Sequence, residues 1–142
     1  MLQMSEQRRS NENASKGVFA GDREGAFSDS FISFVASVLN TPIVLIDPET
    51  NHNGIVLLDV NVAETSAAAV PFFAVISHSR IPASVNDGAV ILAANQIGSA
   101  AGNFTSSGTL DNKIYIPPNS GLYLFPLVAS ALGVRQGVFR RL

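Results

Sequence analysis

The sequence predicts an all-β fold, an antiparallel β-sandwich of jelly-roll type carrying an extended N-terminal arm, and three observations lead there. From Pro42 onward, short apolar and β-branched runs recur between Pro, Gly, Asn and Asp turn signals, about every eight to twelve residues. No helical patterns alternate with these runs, which argues against an α/β architecture. Residues 1–27, rich in Ser, Asn, Glu and Arg, show neither a 2- nor a 3.6-residue period and read as a tail that is disordered by itself. The remaining residues, 28–142, are enough for one domain with a core of its own.

The elements follow in order. Ser28–Asn40 (SDSFISFVASVLN) sets Phe27, Phe31, Phe34 or Val35, and Val38 on one stripe, with Ser28 or Asp29 as N-cap and Thr41-Pro42 as stop. That predicts a short helix, although the same Phe, Ile and Val residues would serve as a first strand in a β protein. PIVLID (42–47) and GIVLLDVNV (54–62) flank PETNHN and predict a hairpin turning at Asn53-Gly54. VPFFAVIS (70–77) is a strand whose Pro71 belongs at a start or an edge. AVILAA (89–94) follows the Asp87-Gly88 turn, and the Gly-, Ser- and Asn-rich stretch 95–111 reads as a loop or a short edge strand. Strands over 113–116, 122–128 and 134–142 complete the domain. Runs such as IVLLDV and FFAVI are apolar on both faces, which predicts neighbouring subunits on the second face.

Charge is unevenly spread. Nine of the 20 charged residues fall in the first 30, leaving 11 for the next 112, about a tenth of them against about a quarter in an ordinary soluble domain. A surface so poor in charge must be neutral polar groups and exposed apolar atoms, and such surfaces meet other protein. With a net charge of -2 and no lysine-rich run, nucleic acid is not an expected partner. No apolar stretch reaches the roughly 20 residues of a helical membrane span, so no membrane is expected either. Seven arginines against two lysines, with Arg135, Arg140 and Arg141 beside Phe139 near the C-terminus, suit interface pairing. In the arm, Arg8, Arg9, Phe19 and Phe27 are the residues expected to dock, because a purely solvated tail has no use for phenylalanines.

Catalytic patterns are sparse. His52 lies in a polar loop and His78 ends the VPFFAVIS run beside Arg80; no G-x-S-x-G elbow accompanies Ser77 or Ser120, and Asp59, Asp87 and Asp111 complete no recognisable triad. Asp47, Glu49, Asn51 and Asn53 alternate as in a calcium loop, but His52 and Leu58 occupy the positions where Gly and Glu are needed. There is no cysteine, P-loop, GxGxxG or HExxH. The expectation is a non-enzyme with no cofactor and no metal site.

The segment KIYIPPNSGLYLFPLVASALGVRQGVFRRL (113–142) resembles the closing strands of small β-sandwich proteins of tailed-bacteriophage virions, in which a Pro-turn-Gly-Leu-Tyr hairpin precedes a final Arg-containing strand. With the arm and the neutral strands, the chain resembles head decoration or cement proteins. That resemblance implies a structural virion protein, a homotrimer bound to the major capsid protein or another virion protein on the outside of the shell, made in the host cytoplasm without a signal peptide. Two other readings stand beside it: a phage tail or receptor-binding component, and a carbohydrate or small-ligand module using loop 95–111.

Overall fold

A computed structural model of the chain describes residues 28–67, 69–94, 96–100, 103–110 and 112–142. The strands are β1 (Ser28–Ser33), β2 (Ile43–Ile46), β3 (Ile55–Ser66), β4 (Phe73–His78), β5 (Ala89–Ala93), β6 (Gln96–Ala100), β7 (Asn103–Leu110), β8 (Ile114–Ile116), β9 (Gly121–Pro126) and β10 (Leu132–Arg141). One sheet runs β1-β10-β3-β7-β6, with β8 pairing the start of β3 in line with β7; the other runs β2-β9-β4-β5. All pairs are antiparallel. The first strand pairs with the last, the second with the ninth, the third with the seventh and eighth, and the fourth with the fifth. That is the order left by rolling up one long hairpin whose tip is β4–β5, and it defines a jelly roll.

Two local expectations are corrected and a third is borne out in part. Ser28–Asn40 forms no helix: Ser28–Ser33 pairs along β10, from Ser28 opposite Arg140 to Ser33 opposite Arg135, because a ladder along β10 and the half-buried Phe31 outweigh a weak helical stripe. PIVLID and GIVLLDVNV are not a hairpin, since β2 and β3 lie in opposite sheets. The segment between them crosses over by a 3-10 turn, Pro48–Thr50, capped by Asp47, whose carboxylate accepts the Glu49 N–H at 2.9 Å. In 95–111 the short edge strand is present as β6, at the edge of its sheet, and the part read as loop is a second strand, β7, paired with it; its Ser, Thr and Asn residues disguise a strand that lacks an apolar alternation.

The core lies between the sheets and contains Leu45, Ile55, Leu57, Val60, Val62, Phe73, Val75, Leu122, Leu124 and Phe139. The two-faced apolar runs are covered by the chain itself. In β3 the inward phase passes from Ile55 and Leu57 to Val60 and Val62, opposite an irregularity between Val138 and Phe139, so both halves of IVLLDV face the same core. On the outer face of β4 and β9, Ala74, Ile76 and Phe125 are buried under Val85 from the β4–β5 loop. Asp87 holds that loop by accepting the N–H groups of Ala83 at 2.7 Å and Ser84 at 3.1 Å. Those two hydrogen bonds keep its carboxyl below the usual 3.8.

Asn51 ties the β2–β3 crossing to the β8–β9 turn. Its buried amide donates to the carbonyls of Pro117 (2.8 Å) and Ser120 (2.9 Å), and its side-chain oxygen accepts the Gly54 N–H at 2.8 Å. Asn51→Ala leaves these backbone groups unpaired and is expected to lower the stability by about 2–3 kcal/mol, read as a shift of the urea midpoint with an unchanged slope.

Candidate functional site

The largest fully buried side chain among the described residues belongs to an arginine. Along β10 the inward positions are Gly133, Arg135, Gly137 and Phe139, and Gly133 stands opposite Glu64 of β3 in the ladder. A Cβ at Gly133 would lie 2.2 Å from Arg135 Nη2 and 2.6 Å from Glu64 Oε2, so glycine is what lets the guanidinium fold back onto the carboxylate. The pair is bidentate. Arg135 Nε donates to Glu64 Oε2 at 2.8 Å and Nη2 to Oε1 at 2.6 Å, with the side chains 0% and 2% exposed.

The remaining donors and lone pairs are used to fasten loops. Arg135 Nη1 donates to the Val35 carbonyl at 2.5 Å, in the β1–β2 loop, with the Ser33 hydroxyl 3.4 Å away. From the β9–β10 loop, Ser130 Oγ donates to Glu64 Oε1 at 2.8 Å. Its single proton is then committed, so in the 2.6 Å contact between the Ser130 and Ser37 hydroxyls Ser37 is the donor. Backbone hydrogen bonds Ser37–Ser130, Asn40–Pro126, Leu127–Phe72 and Ala131–Thr65 stitch the β1–β2, β3–β4 and β9–β10 loops into one surface.

That surface inverts the usual order, polar within and apolar without. Ile32, Phe34, Val35, Val38, Leu39, Phe72, Leu127 and Leu132 are 39–63% exposed; Ile32 and Leu132 lie at the strand ends beside the loops 34–42, 67–72 and 127–131, which carry the other six and contain no charged residue. At on the order of 90 Å² each they present roughly 700 Å², above the few hundred of an ordinary surface patch and near the ~800 Å² per partner of a standard interface. Among the described residues, Glu64 and Arg135 are the charges at this end, and they neutralise each other. Asp29, Asp47, Glu49, Arg80, Asp87, Arg140 and Arg141 gather at the other end, around the β2–β3, β4–β5 and β8–β9 connections.

The charged end carries an open cleft of about 690 Å³ between the β2–β3 crossing and the β4–β5 loop. Val44 and Ile81 are exposed on its walls, Asp47, Glu49 and Arg80 bring charge, and Tyr123 forms its floor. Tyr123 is 0% exposed and its hydroxyl has no hydrogen-bond partner among the described residues. Burial, and secondarily the nearby Asp47 carboxylate, raise its pKa above the usual 10.0.

The structure redistributes the residues singled out from sequence. Arg135 and Phe139 are interior, 0% and 3% exposed, and are corrected from interface to core: the guanidinium pairs with Glu64 of its own chain. Arg141 stays at the surface but also binds within the chain, to Asp29 at 2.7 Å and to the Thr50 carbonyl, with its guanidinium 5.1 Å over the Phe139 ring. Arg140 is half-buried and makes no ion pair among the described residues. Arg8, Arg9, Phe19 and Phe27 lie outside the described residues. His78 sits at the end of β4 opposite Gly121, and His52 is exposed. Among the described residues no three His, Asp or Glu side chains cluster as metal ligands. Sequence reading missed Glu64, Ser37 and Ser130, whose signal was the spacing Gly133-x-Arg135-x-Gly137, small inward neighbours leaving space for a folded-back guanidinium.

No protein-family model, curated protein or solved structure matches the chain.

Removing one member of the buried pair strands the other. Arg135→Met and Glu64→Met are each expected to cost about 3–5 kcal/mol, and the double variant markedly less than their sum. Urea unfolding of the four chains measures the coupling.

Proposed function

We propose that the protein is a structural assembly protein, a virion component of the head decoration or cement type, which associates with its own copies through the charge-free end of the jelly roll. The observation that carries this reading is the segregation of charge along the sandwich, with roughly 700 Å² of apolar surface on and beside the loops of one end and most of the surface charges at the other. Water in contact with that apolar end is costly, and a closed ring of copies removes it from solvent without exposing a new edge. A trimer around an axis at this end satisfies the geometry, and the outer, charged end is then left for the shell.

Three further features support it. The jelly roll is a fold that capsid domains share with lectins and cupins. The closing segment 113–142 resembles virion accessory proteins. The apolar side chains sit on loops pinned by the Glu64–Arg135 network rather than on free-running chain, so little entropy is lost when they are covered.

Light scattering coupled to size exclusion tests the reading on the full chain. A closed oligomer, three chains in the decoration reading, is expected at micromolar concentration. Val38→Asp and Leu132→Asp, both at positions more than half exposed in the single chain, are expected to give folded monomers. A wild-type chain that stays monomeric at high concentration, or aspartate variants with unchanged mass, contradicts it.

A further inference from the structure

The cleft at the charged end is lined for an occupant. Its floor is a fully buried tyrosine whose hydroxyl has no partner among the described residues, and a buried hydroxyl without one is costly enough that few persist. Its walls offer two exposed apolar side chains, Val44 and Ile81, and charges of both signs, Asp47 and Glu49 against Arg80. None of these three makes an ion pair among the described residues. The volume, about 690 Å³, lies within the roughly 300–1,000 Å³ of sites that hold ligands or anchor side chains.

The chain also enters the domain beside this cleft. β1 begins at Ser28, and its next residue, Asp29, is joined through Arg141 to the carbonyl of Thr50. Thr50 closes the 3-10 turn that contributes Pro48 and Glu49 to the cleft wall. The nine residues before Ser28 are Phe19–Phe27, FAGDREGAF, and fully extended they span about 30 Å. Their pattern is the complement of the cleft: one arginine, Arg23, between Asp22 and Glu24, with a phenylalanine at each end.

We infer that the cleft is the docking site of the chain's own N-terminal segment Phe19–Phe27. Arg23 faces Asp47 and Glu49, the flanking acids face Arg80, and a phenylalanine packs against Val44 and Ile81. A backbone carbonyl of the segment accepts the Tyr123 hydroxyl. Gly21 and Gly25 carry no side chain to hold the backbone away from that floor. Attachment within one chain needs only modest contacts, because the tether keeps the local concentration high. This inference does not rest on the assembly reading, since the cleft and the apolar end are at opposite ends of the sandwich.

Trypsin cleavage after Arg23, followed by mass spectrometry on the full-length protein, tests it. The same bond is compared in the native chain, in Glu49→Gln/Ile81→Ser and in Tyr123→Phe; cleavage requires undocking, so its rate reports the open population. Cleavage is expected to be roughly tenfold slower in the native chain than in the double cleft variant, and Tyr123→Phe is expected to speed it several-fold. Removing an unpaired hydroxyl from an empty cleft would leave the rate unchanged. Equal rates in all three chains overturn the proposal. Protection that disappears on dilution overturns it as well, by placing the segment on another copy. Repeating the comparison in the Val38→Asp background separates it from self-association: protection is expected to persist there even when the oligomer is lost.

Discussion

A guanidinium and a carboxylate with no access to water organise one end of this molecule. Desolvating two charges costs several kcal/mol each, and Glu64 and Arg135 recover it through two short parallel hydrogen bonds at 2.6 and 2.8 Å and by filling nearly every remaining donor and acceptor site. Those extra bonds determine the shape of the end. Val35 and Ser33 are held from the β1–β2 side, Ser130 from the β9–β10 side, and Ser37 through Ser130. A wholly hydrophobic core would bury equal area without naming a position for either loop. The pair contributes geometry more than net stability, and the geometry fixes Phe34, Val35, Val38, Leu39 and Leu132 in outward positions.

The same economy of charge explains the rest of the surface. With 11 charged residues after position 30, a domain of this size cannot be charged everywhere, and the jelly roll collects them by topology. Its connections alternate between two ends, so that the β2–β3, β4–β5 and β8–β9 connections share one end and the β1–β2, β3–β4 and β9–β10 connections share the other. Polar residues in the first set and apolar residues in the second produce a polarised body. Asn51 locks the charged end as Arg135 locks the apolar one, each a buried polar side chain bridging two loops.

Much of the fold was legible in the residues. The positions of β4, β5, β8, β9 and β10 follow from β-branched runs between Pro, Gly, Asn and Asp, and sandwich architecture follows from their number and spacing. Partner choice was less legible, because it depends on where loops lead: nothing within PETNHN distinguishes a hairpin from a crossing between sheets. The β6–β7 hairpin escaped because NFTSSGTL lacks the apolar alternation that marks a strand. At the candidate site, the deficit of charge correctly drew attention to a neutral surface, but its location was hidden. Arg135 read as a surface arginine because burial of a guanidinium depends on a carboxylate 71 positions away in sequence and on the missing side chain at Gly133. Apolar Val38 read as part of a helix's apolar stripe for the complementary reason, that only tertiary structure shows which apolar residues are left outside.

The claim on which these pieces converge is that the charge-free end is a contact between copies, presented by loops that the buried pair holds in place. Hydrogen exchange of the full-length protein, followed by mass spectrometry across a range of chain concentrations, addresses it most directly. Burial between copies predicts that peptides covering 34–41 and 127–132 gain several-fold protection as concentration rises, while the 47–54 crossing exchanges at a constant rate. Concentration-independent exchange in 34–41 and 127–132, or protection that grows only at the 47–54 end, would contradict it.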